Sequence, residues 1–298
     1  MSEESHQIAV QIAQKLRDAG VCCEIFNPVR IKPDVLRRDR IIVALALSLL
    51  TALAWSYLLW LSADMGMGGM DMDGFRMIPS GVGLMMPAGA PWRAMEFVFV
   101  FAMWTVMMVG MMTPWSAPMI FMYARVGRQT EAPAPLTATV WFGIGYFFAW
   151  IAFSLFATLM QWALERGGLL DSAMATTSIV LGALLFVAAG TYQWTKLKDA
   201  CLAQSQEPFA FLIRHGGYRR DAPGSVRLGL RFGAYCVGGC SALMVLLFVG
   251  GVMNLLWIAL LALFVLLEKV PSFGRKFAPV AGIVLVAAGA WLLSRGMF

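Results

Sequence analysis

The stretch of sequence that decides the fold runs from Phe232 to Leu267 and reads FGAYCVGGCSALMVLLFVGGVMNLLWIALLALFVLL. None of its 36 residues is charged. As one straight helix it would extend about 54 Å at about 1.5 Å per residue, well beyond the roughly 30 Å hydrocarbon core of a bilayer. Gly250, Gly251 and Asn254 offer a place to turn. The stretch therefore predicts two short membrane spans, at 232–250 and 253–267.

The same length criterion, applied outward from this stretch, predicts an all-α fold. We expect a polytopic transmembrane helix bundle of about seven spans, or six if 232–267 crosses only once. The predicted domains are a cytoplasmic amphipathic and basic segment at 1–40 and a transmembrane domain at 41–298. Within that domain, a Met-rich outer loop occupies 62–93 and a polar cytoplasmic loop occupies 195–231. The other spans are predicted at 41–61, 94–114, 138–164, 173–194 and 278–294.

Composition and charge support this topology. The chain is 60% hydrophobic and 13% charged, whereas a soluble domain carries about 25% charged residues. With the N-terminus on the cytoplasmic side, the inner segments hold nineteen Lys and Arg and the outer segments hold four. This is the bias of a multi-pass protein of the bacterial inner membrane. The net charge of +6 is assigned to topology, so no nucleic-acid partner is predicted.

The N-terminal segment lacks the early apolar core of a signal peptide, so the first span is expected to be a retained anchor. Ile8, Ile12 and Leu16 recur at a spacing of four residues. That spacing favours a short amphipathic helix on the membrane surface or on a partner. A solvated tail is the alternative.

Methionine is the most unusual part of the composition, because fifteen of the 21 methionines lie between positions 65 and 122. In the outer loop they stand among Gly and Asp residues, which break any apolar face. A thioether is a soft, neutral ligand that suits Cu(I). A flexible loop of adaptable apolar side chains is the alternative. The candidate ligands in this loop are Met65, Met67, Met70 and Met72.

The second predicted span, with its possible extension past Pro114 and Pro118 to Tyr123, carries the other methionines. Met103, Met107 and Met111 follow one another at intervals of four residues, so they share one helix face. Met108 and Met112 lie on the neighbouring face. Metal ligation is one interpretation, and packing beside a helix interrupted by Pro114 is the other.

The five cysteines all lie in or beside segments predicted to be cytoplasmic, where disulfides are rare. Cys236 and Cys240 are four residues apart and share a helix face, which suits two thiolates on one soft metal. They could instead be small interfacial residues, since Gly238 and Gly239 lie between them. If Met111 and Met112 share a site with this pair, the second and fifth spans must pack directly. The remaining cysteines are Cys22, Cys23 and Cys201.

From about Arg37 to Phe298 the chain resembles a known bacterial family. The most specific segments are Phe101-Ala-Met-Trp-Thr-Val-Met-Met-Val-Gly-Met-Met-Thr-Pro114, Tyr192–Thr195, Leu197–Leu202 and Leu243–Trp257, with the run leading on to Leu267-Glu-Lys269. The family is an uncharacterised one, described as predicted metal-binding integral membrane proteins. The resemblance implies that Cys201, Cys236 and Cys240 belong to a thiol site.

The chain departs from the family pattern at several positions of that thiol site. Ser205 and Gly239 stand where the family has cysteines, and Ser241 stands where it has Trp. Phe232 replaces a His and Lys196 replaces a Pro. The implied site therefore has two fewer thiols in this chain.

Together these features predict a membrane protein that handles Cu(I), by transport or by delivery, and is not an enzyme. The outer loop would capture the ion, the second-span methionines would pass it on, and Cys236 and Cys240 would receive it. The expected partners are the lipid bilayer and a copper chaperone or other cytoplasmic partner at 195–231. The alternatives are a membrane scaffold or assembly subunit with no metal role and, as a third option, a redox enzyme that uses the thiols with quinone.

Overall fold

A computed structural model describes residues 33–67, 75–81, 84–87, 90–130, 134–171 and 174–296. The predicted amphipathic helix at the N-terminus lies outside the described residues, as do Cys22, Cys23, Met70 and Met72. Met65 and Met67 lie in the last turn of the first described helix.

The described chain is almost entirely helical, in agreement with the all-α prediction. A two-stranded antiparallel sheet, β1 (Phe75–Met77) and β2 (Met85–Pro87), is the exception. The helices are α1 (Pro33–Met67), α2 (Ala94–Gln129), α3 (Pro135–Arg166), α4 (Ile179–Tyr192), α5 (Lys196–Gln206), α6 (Pro208–Arg214), α7 (Ala222–Val245), α8 (Leu247–Gly250), α9 (Leu255–Lys269) and α10 (Pro271–Gly296).

Among the described residues, five helical segments are long and apolar enough to cross a membrane. They are Arg38–Asp64, Ala94–Gln129, Pro135–Arg166, Ala222–Gly250 and Phe277–Arg295. Two shorter helices, α4 with 14 residues and α9 with 15 residues, stand where the fourth and sixth spans are predicted. Every predicted span thus corresponds to a helix, and the number of membrane crossings stays a prediction.

The turn predicted at Gly250–Asn254 is confirmed. Gly251 has a φ of +89°, a backbone conformation that glycine adopts without the steric cost of a Cβ. Asn254 then caps α9, because its side-chain oxygen accepts a hydrogen bond from the Trp257 backbone N–H at 3.2 Å. The long apolar stretch is therefore folded back on itself.

Close helix packing in the centre of the bundle depends on glycines. Helix α3 packs closely on α7 and on α2, and α2 packs in turn on α1. At the crossing of α3 and α7, Gly145 faces the Val226 carbonyl and Gly229 faces the Phe142 carbonyl, so closely that a Cβ at either glycine would overlap the oxygen. Small residues allow this approach of two backbones in membrane-type bundles.

The helices α4 and α10 form a second close pair. A Cβ added at Gly190 would lie 2.8 Å from the Gly282 carbonyl oxygen, and one added at Gly289 would lie 2.8 Å from the Ala183 carbonyl oxygen. The backbones of the two helices are therefore in contact over more than one turn.

The segment 195–231, predicted as a polar loop, is folded instead. It forms α5, α6 and the first turns of α7, which begins at Ala222 rather than at residue 232. Phe211 in α6 is fully buried, and α5 packs against α7. The Arg128 side chain binds the Asp39 carboxylate near this end of the bundle. We call it the basic end, and the opposite end, where the sequence places the Met-rich loop, the methionine end.

Candidate metal centre

The methionines of α2 line the interior of the bundle. Six of its eight methionines have at most 2% of their surface exposed, whereas Met122 is partly buried and Met95 near the start of the helix is 66% exposed. Met119 was not among the sequence candidates, but it lies eight residues after Met111 on the same face. We call the buried set the methionine stripe; it consists of Met103, Met107, Met108, Met111, Met112 and Met119.

Helix α2 continues without a break through Pro114 and Pro118, and nearby side chains bond to its carbonyls. Thr113 Oγ1 donates to the Val109 carbonyl at 2.6 Å, and the Tyr146 hydroxyl of α3 donates to the Met112 carbonyl at 3.0 Å. Proline removes backbone donors from a helix, and such side-chain bonds support the carbonyls around the interruption. The bond from Tyr146 also joins α3 to the methionine stripe.

Cys236 and Cys240 are free thiols in the second half of α7, each only 1% exposed. The Cys240 thiol donates to the Cys236 carbonyl at 2.9 Å. Tyr146 interacts with Cys236, so the residue that bonds to Met112 also lies beside the first thiol. Met244 continues this face one turn further and is fully buried. The sequence reasoning missed Met244, although its spacing from Cys240 is the same as that of Cys240 from Cys236.

The direct packing predicted between the second and fifth spans is wrong. Helices α2 and α7 are not among the closely packed pairs, because α3 packs on both of them and α9 contacts both. Gly238 and Gly239 therefore do not serve an α2 contact. A Cβ on Gly238 would lie 2.8 Å from the Cys201 sulfur, so these glycines make room for α5. One four-sulfur site shared by Met111, Met112, Cys236 and Cys240 is accordingly not supported.

Cys201 lies in the folded α5 helix, where it is 7% exposed and free. Burial raises the pKa of its thiol, and the nearby Cys236 raises it further. Among the described residues, no three His, Cys, Asp or Glu side chains converge as a metal site. Cys236 and Cys240 therefore remain the candidate pair, with Cys201 nearby.

A buried ion pair lies beside the thiols and was missed by the sequence reasoning. Lys198 Nζ of α5 donates to Glu268 Oε1 of α9 at 2.6 Å, and both side chains are 1% exposed. Burial lowers the pKa of Lys198, while the Glu268 carboxylate opposes that shift. The segment Leu267-Glu-Lys269, which is typical of the resembled family, was the sequence feature that could have indicated this ion pair.

The next residue, Lys269, is 6% exposed. Its ammonium lies 5.3 Å from the centre of the Trp115 ring of α2 and close to the Cys236 and Cys240 thiols of α7. Among the described residues no oxygen or nitrogen atom accepts a hydrogen bond from this ammonium, and the Cys236 thiol is the polar group beside it. We call Cys236, Cys240, Lys269 and Tyr146 the thiol cluster. It is assembled from α3, α7 and α9, next to the basic-end half of the methionine stripe.

A chain of hydrogen bonds lies near the methionine end of the stripe. Trp104 Nε1 donates to Gln161 Oε1 at 2.8 Å, and Gln161 Nε2 donates to Glu165 Oε1 at 2.9 Å. Trp92 Nε1 donates to Glu165 Oε2 at 2.8 Å. These bonds tie α2 and the residues just before it to α3, next to Met103.

The fold and the candidate site together define a class: an apolar helical bundle with thioether and thiol donors buried in its interior. Residues 101–292 match the sequence profile of a family described as PpoB2, copper chaperone. The match covers most of the chain, and the chain belongs to this family. No curated protein and no solved structure matches the chain.

Proposed function

We propose that this protein is a multi-pass copper chaperone of the bacterial inner membrane, which accepts Cu(I) on methionine thioethers and delivers it to the Cys236–Cys240 pair. Copper is the cargo of the protein, and no catalytic step is assigned to the chain. The family description supports copper as the metal. The five long apolar helices support the membrane location. The bias of Lys and Arg toward one side, counted over the seven predicted spans, supports a cytoplasmic N-terminus.

The observation that carries the proposal is a path of soft donors through the bundle interior. The methionine stripe is buried along α2, and its Met112 backbone is bonded to Tyr146, which lies beside Cys236. Packing alone does not require methionine at these inward positions, because leucine would fill the space at least as well. Thioethers and thiolates both select soft cations such as Cu(I).

The donors act in sequence rather than as one site. Because α2 and α7 do not pack directly, the ion would move from two- or three-thioether coordination on the stripe to two-thiolate coordination on α7. Thiolates carry charge and hold Cu(I) more strongly than thioethers. The affinity for Cu(I) therefore increases from the methionine end toward the thiols. This difference gives delivery a direction, and the chain needs no energy source of its own.

The test is an anaerobic titration of the purified full chain in lipid nanodiscs with Cu(I), against bicinchoninate as competitor. We expect the Cys236→Ser, Cys240→Ser double variant to bind Cu(I) about 100-fold more weakly, because hydroxyls are poor ligands for a soft ion. Met95→Leu is the matched control on α2, since Met95 is exposed. It should leave binding unchanged.

Two results would contradict the proposal. One is wild-type protein that binds Cu(I) no more tightly than the double-serine variant. The other is isolation of a stoichiometric protein partner from a metal-free preparation, with no Cu(I) bound by the wild type. The second result would support the scaffold alternative.

A further inference from the structure

The charges buried around the thiols do not cancel. The titratable groups that the described elements place there are Tyr146 of α3, Tyr192 of α4, Lys198 and Cys201 of α5, Cys236 and Cys240 of α7, and Glu268 and Lys269 of α9. Lys198 and Glu268 neutralise each other at 2.6 Å. Lys269 is left as one buried positive charge.

An isolated ammonium is costly to bury, because it loses its hydration and gains nothing in return. The face of Trp115, 5.3 Å from the ammonium, supplies only part of what water supplied. No carboxylate forms an ion pair with Lys269 among the described residues, since Glu268 is bonded to Lys198. The remaining groups that can carry a negative charge beside Lys269 are the thiols of Cys236 and Cys240.

We propose that Lys269 is the counter-cation of the thiol pair and makes it selective for a monovalent soft metal ion. The inference rests on the proposed function, because it assumes that Cys236 and Cys240 bind copper. Two thiols that release their protons to water and bind Cu(I) form a complex with a charge of −1. The Lys269 ammonium makes the assembled site neutral.

A divalent ion gives a different balance. Two thiolates and Zn²⁺ or Cd²⁺ are neutral together, so the Lys269 charge would stay uncompensated in a site with little water. Coulomb interactions are strong at such a position, where the effective dielectric constant is far below that of water. Lys269 therefore favours Cu(I) and Ag(I) over divalent thiophilic ions through charge, in addition to any preference that comes from ligand type.

The experiment compares Ag(I) with Cd(II), which both seek thiolates and differ in charge. Affinities are measured on the full chain in nanodiscs, in a background with Cys22, Cys23 and Cys201 changed to Ser. The variant Lys269→Met removes the positive charge and keeps a long side chain, whereas the separate variant Lys269→Arg keeps the positive charge. Lys196→Met is the control, because Lys196 is an exposed lysine at the start of α5.

We expect Lys269→Met to lower the ratio of Ag(I) to Cd(II) affinity by about 100-fold, the size expected for one nearby charge at an effective dielectric constant of about 20. Lys269→Arg should keep the ratio within about fivefold of the wild type, and Lys196→Met should not change it. An equal loss of both affinities in Lys269→Met would show a purely structural role and overturn the inference. So would an unchanged ratio.

A second measurement needs no substitution at Lys269, so it can be made even if Lys269→Met fails to fold. The Ag(I) to Cd(II) affinity ratio of the protein with intact Lys269 is compared with that of dithiothreitol in the same buffer. We expect the protein's ratio to be higher by about 100-fold; an equal or lower ratio would overturn the inference. If neither ion nor Cu(I) binds, the proposed function fails as well, whereas normal Cu(I) binding with an unchanged ratio removes only the role of Lys269.

Discussion

The methionine stripe and the thiol cluster are both buried and both carry sulfur, but they are built in different ways. The stripe lies on one helix, at positions that repeat every turn, and its side chains are uncharged. The thiol cluster comes from α3, α7 and α9 and lies beside the Lys198–Glu268 pair. A set of neutral, flexible side chains tolerates local change, whereas a set that includes buried charges depends on every partner. The comparison indicates that the methionine stripe tolerates substitutions and that the thiol cluster is sensitive to them.

The largest expected effect comes from breaking the ion pair beside the thiol cluster. Lys198→Met removes the hydrogen-bonded partner of the buried Glu268 carboxylate and leaves only the Lys269 ammonium close to it. We expect the free energy of unfolding to fall by about 3 kcal/mol, because a buried carboxylate loses a direct ion pair. Unfolding of the purified protein in mixed detergent micelles measures it. Adding Glu268→Leu to this variant should recover most of the loss, because no carboxylate is then left without its hydrogen-bonded partner.

The control for this prediction lies in the methionine stripe. Met107→Leu changes shape but no charge, so it should cost less than about 1.5 kcal/mol. If Lys198→Met were no more destabilising than Met107→Leu, the contrast between the two regions would be wrong.

An intermediate effect is expected where α5 docks on α7. Gly238→Ala places a Cβ 2.8 Å from the Cys201 sulfur, and we expect a cost of about 1–3 kcal/mol from overpacking. Gly239→Ala is the matched control, because its Cβ would meet no atom closer than 3.9 Å. The rate at which a maleimide labels Cys201 should rise in the Gly238 variant and not in the Gly239 variant. Equal labelling rates would contradict this account of the glycine pair.

The smallest effect on stability, with a selective effect on function, is expected within the stripe. We expect the free energy of unfolding of the triple variant Met107→Leu, Met111→Leu, Met119→Leu to lie within about 1.5 kcal/mol of the wild-type value, because volume-conserving apolar exchanges are well tolerated. Its equilibrium affinity for Cu(I) at the thiols should be unchanged, while loading from a Cu(I) donor on the methionine side should slow. Stopped-flow measurement of loading tests this. A normal loading rate would remove the stripe from the copper path.

The same contrast explains what could be predicted from the sequence. The shared face of the stripe follows from a spacing of four residues in one apolar segment, and the structure buries this face. The need for a turn followed from length, because no straight helix of that length fits a bilayer, and its position followed from Gly250, Gly251 and Asn254.

The environment of the thiols could not be predicted in this way. Lys198 stands in a polar segment and looks solvated until α5 folds onto α7, which is a tertiary event with no local pattern. Gly238 and Gly239 were recognised as small packing residues, but sequence does not say which helix approaches them, and the partner is α5 rather than α2. Lys269 becomes unusual only when Trp115 and Cys236 from other helices are placed beside it.

The close pairing of α4 with α10 has a consequence for how the chain is made. Helix α4 has 14 residues, which reach only about 21 Å and fall short of the hydrocarbon core. The helix that contacts its backbone through Gly190 and Gly282 is α10, which is synthesised after α5 to α9. While the intervening residues are being synthesised, α4 is without that partner. We therefore expect α4 to reach its final packing only after α10 has been made, so a later helix completes an element that was made before α5.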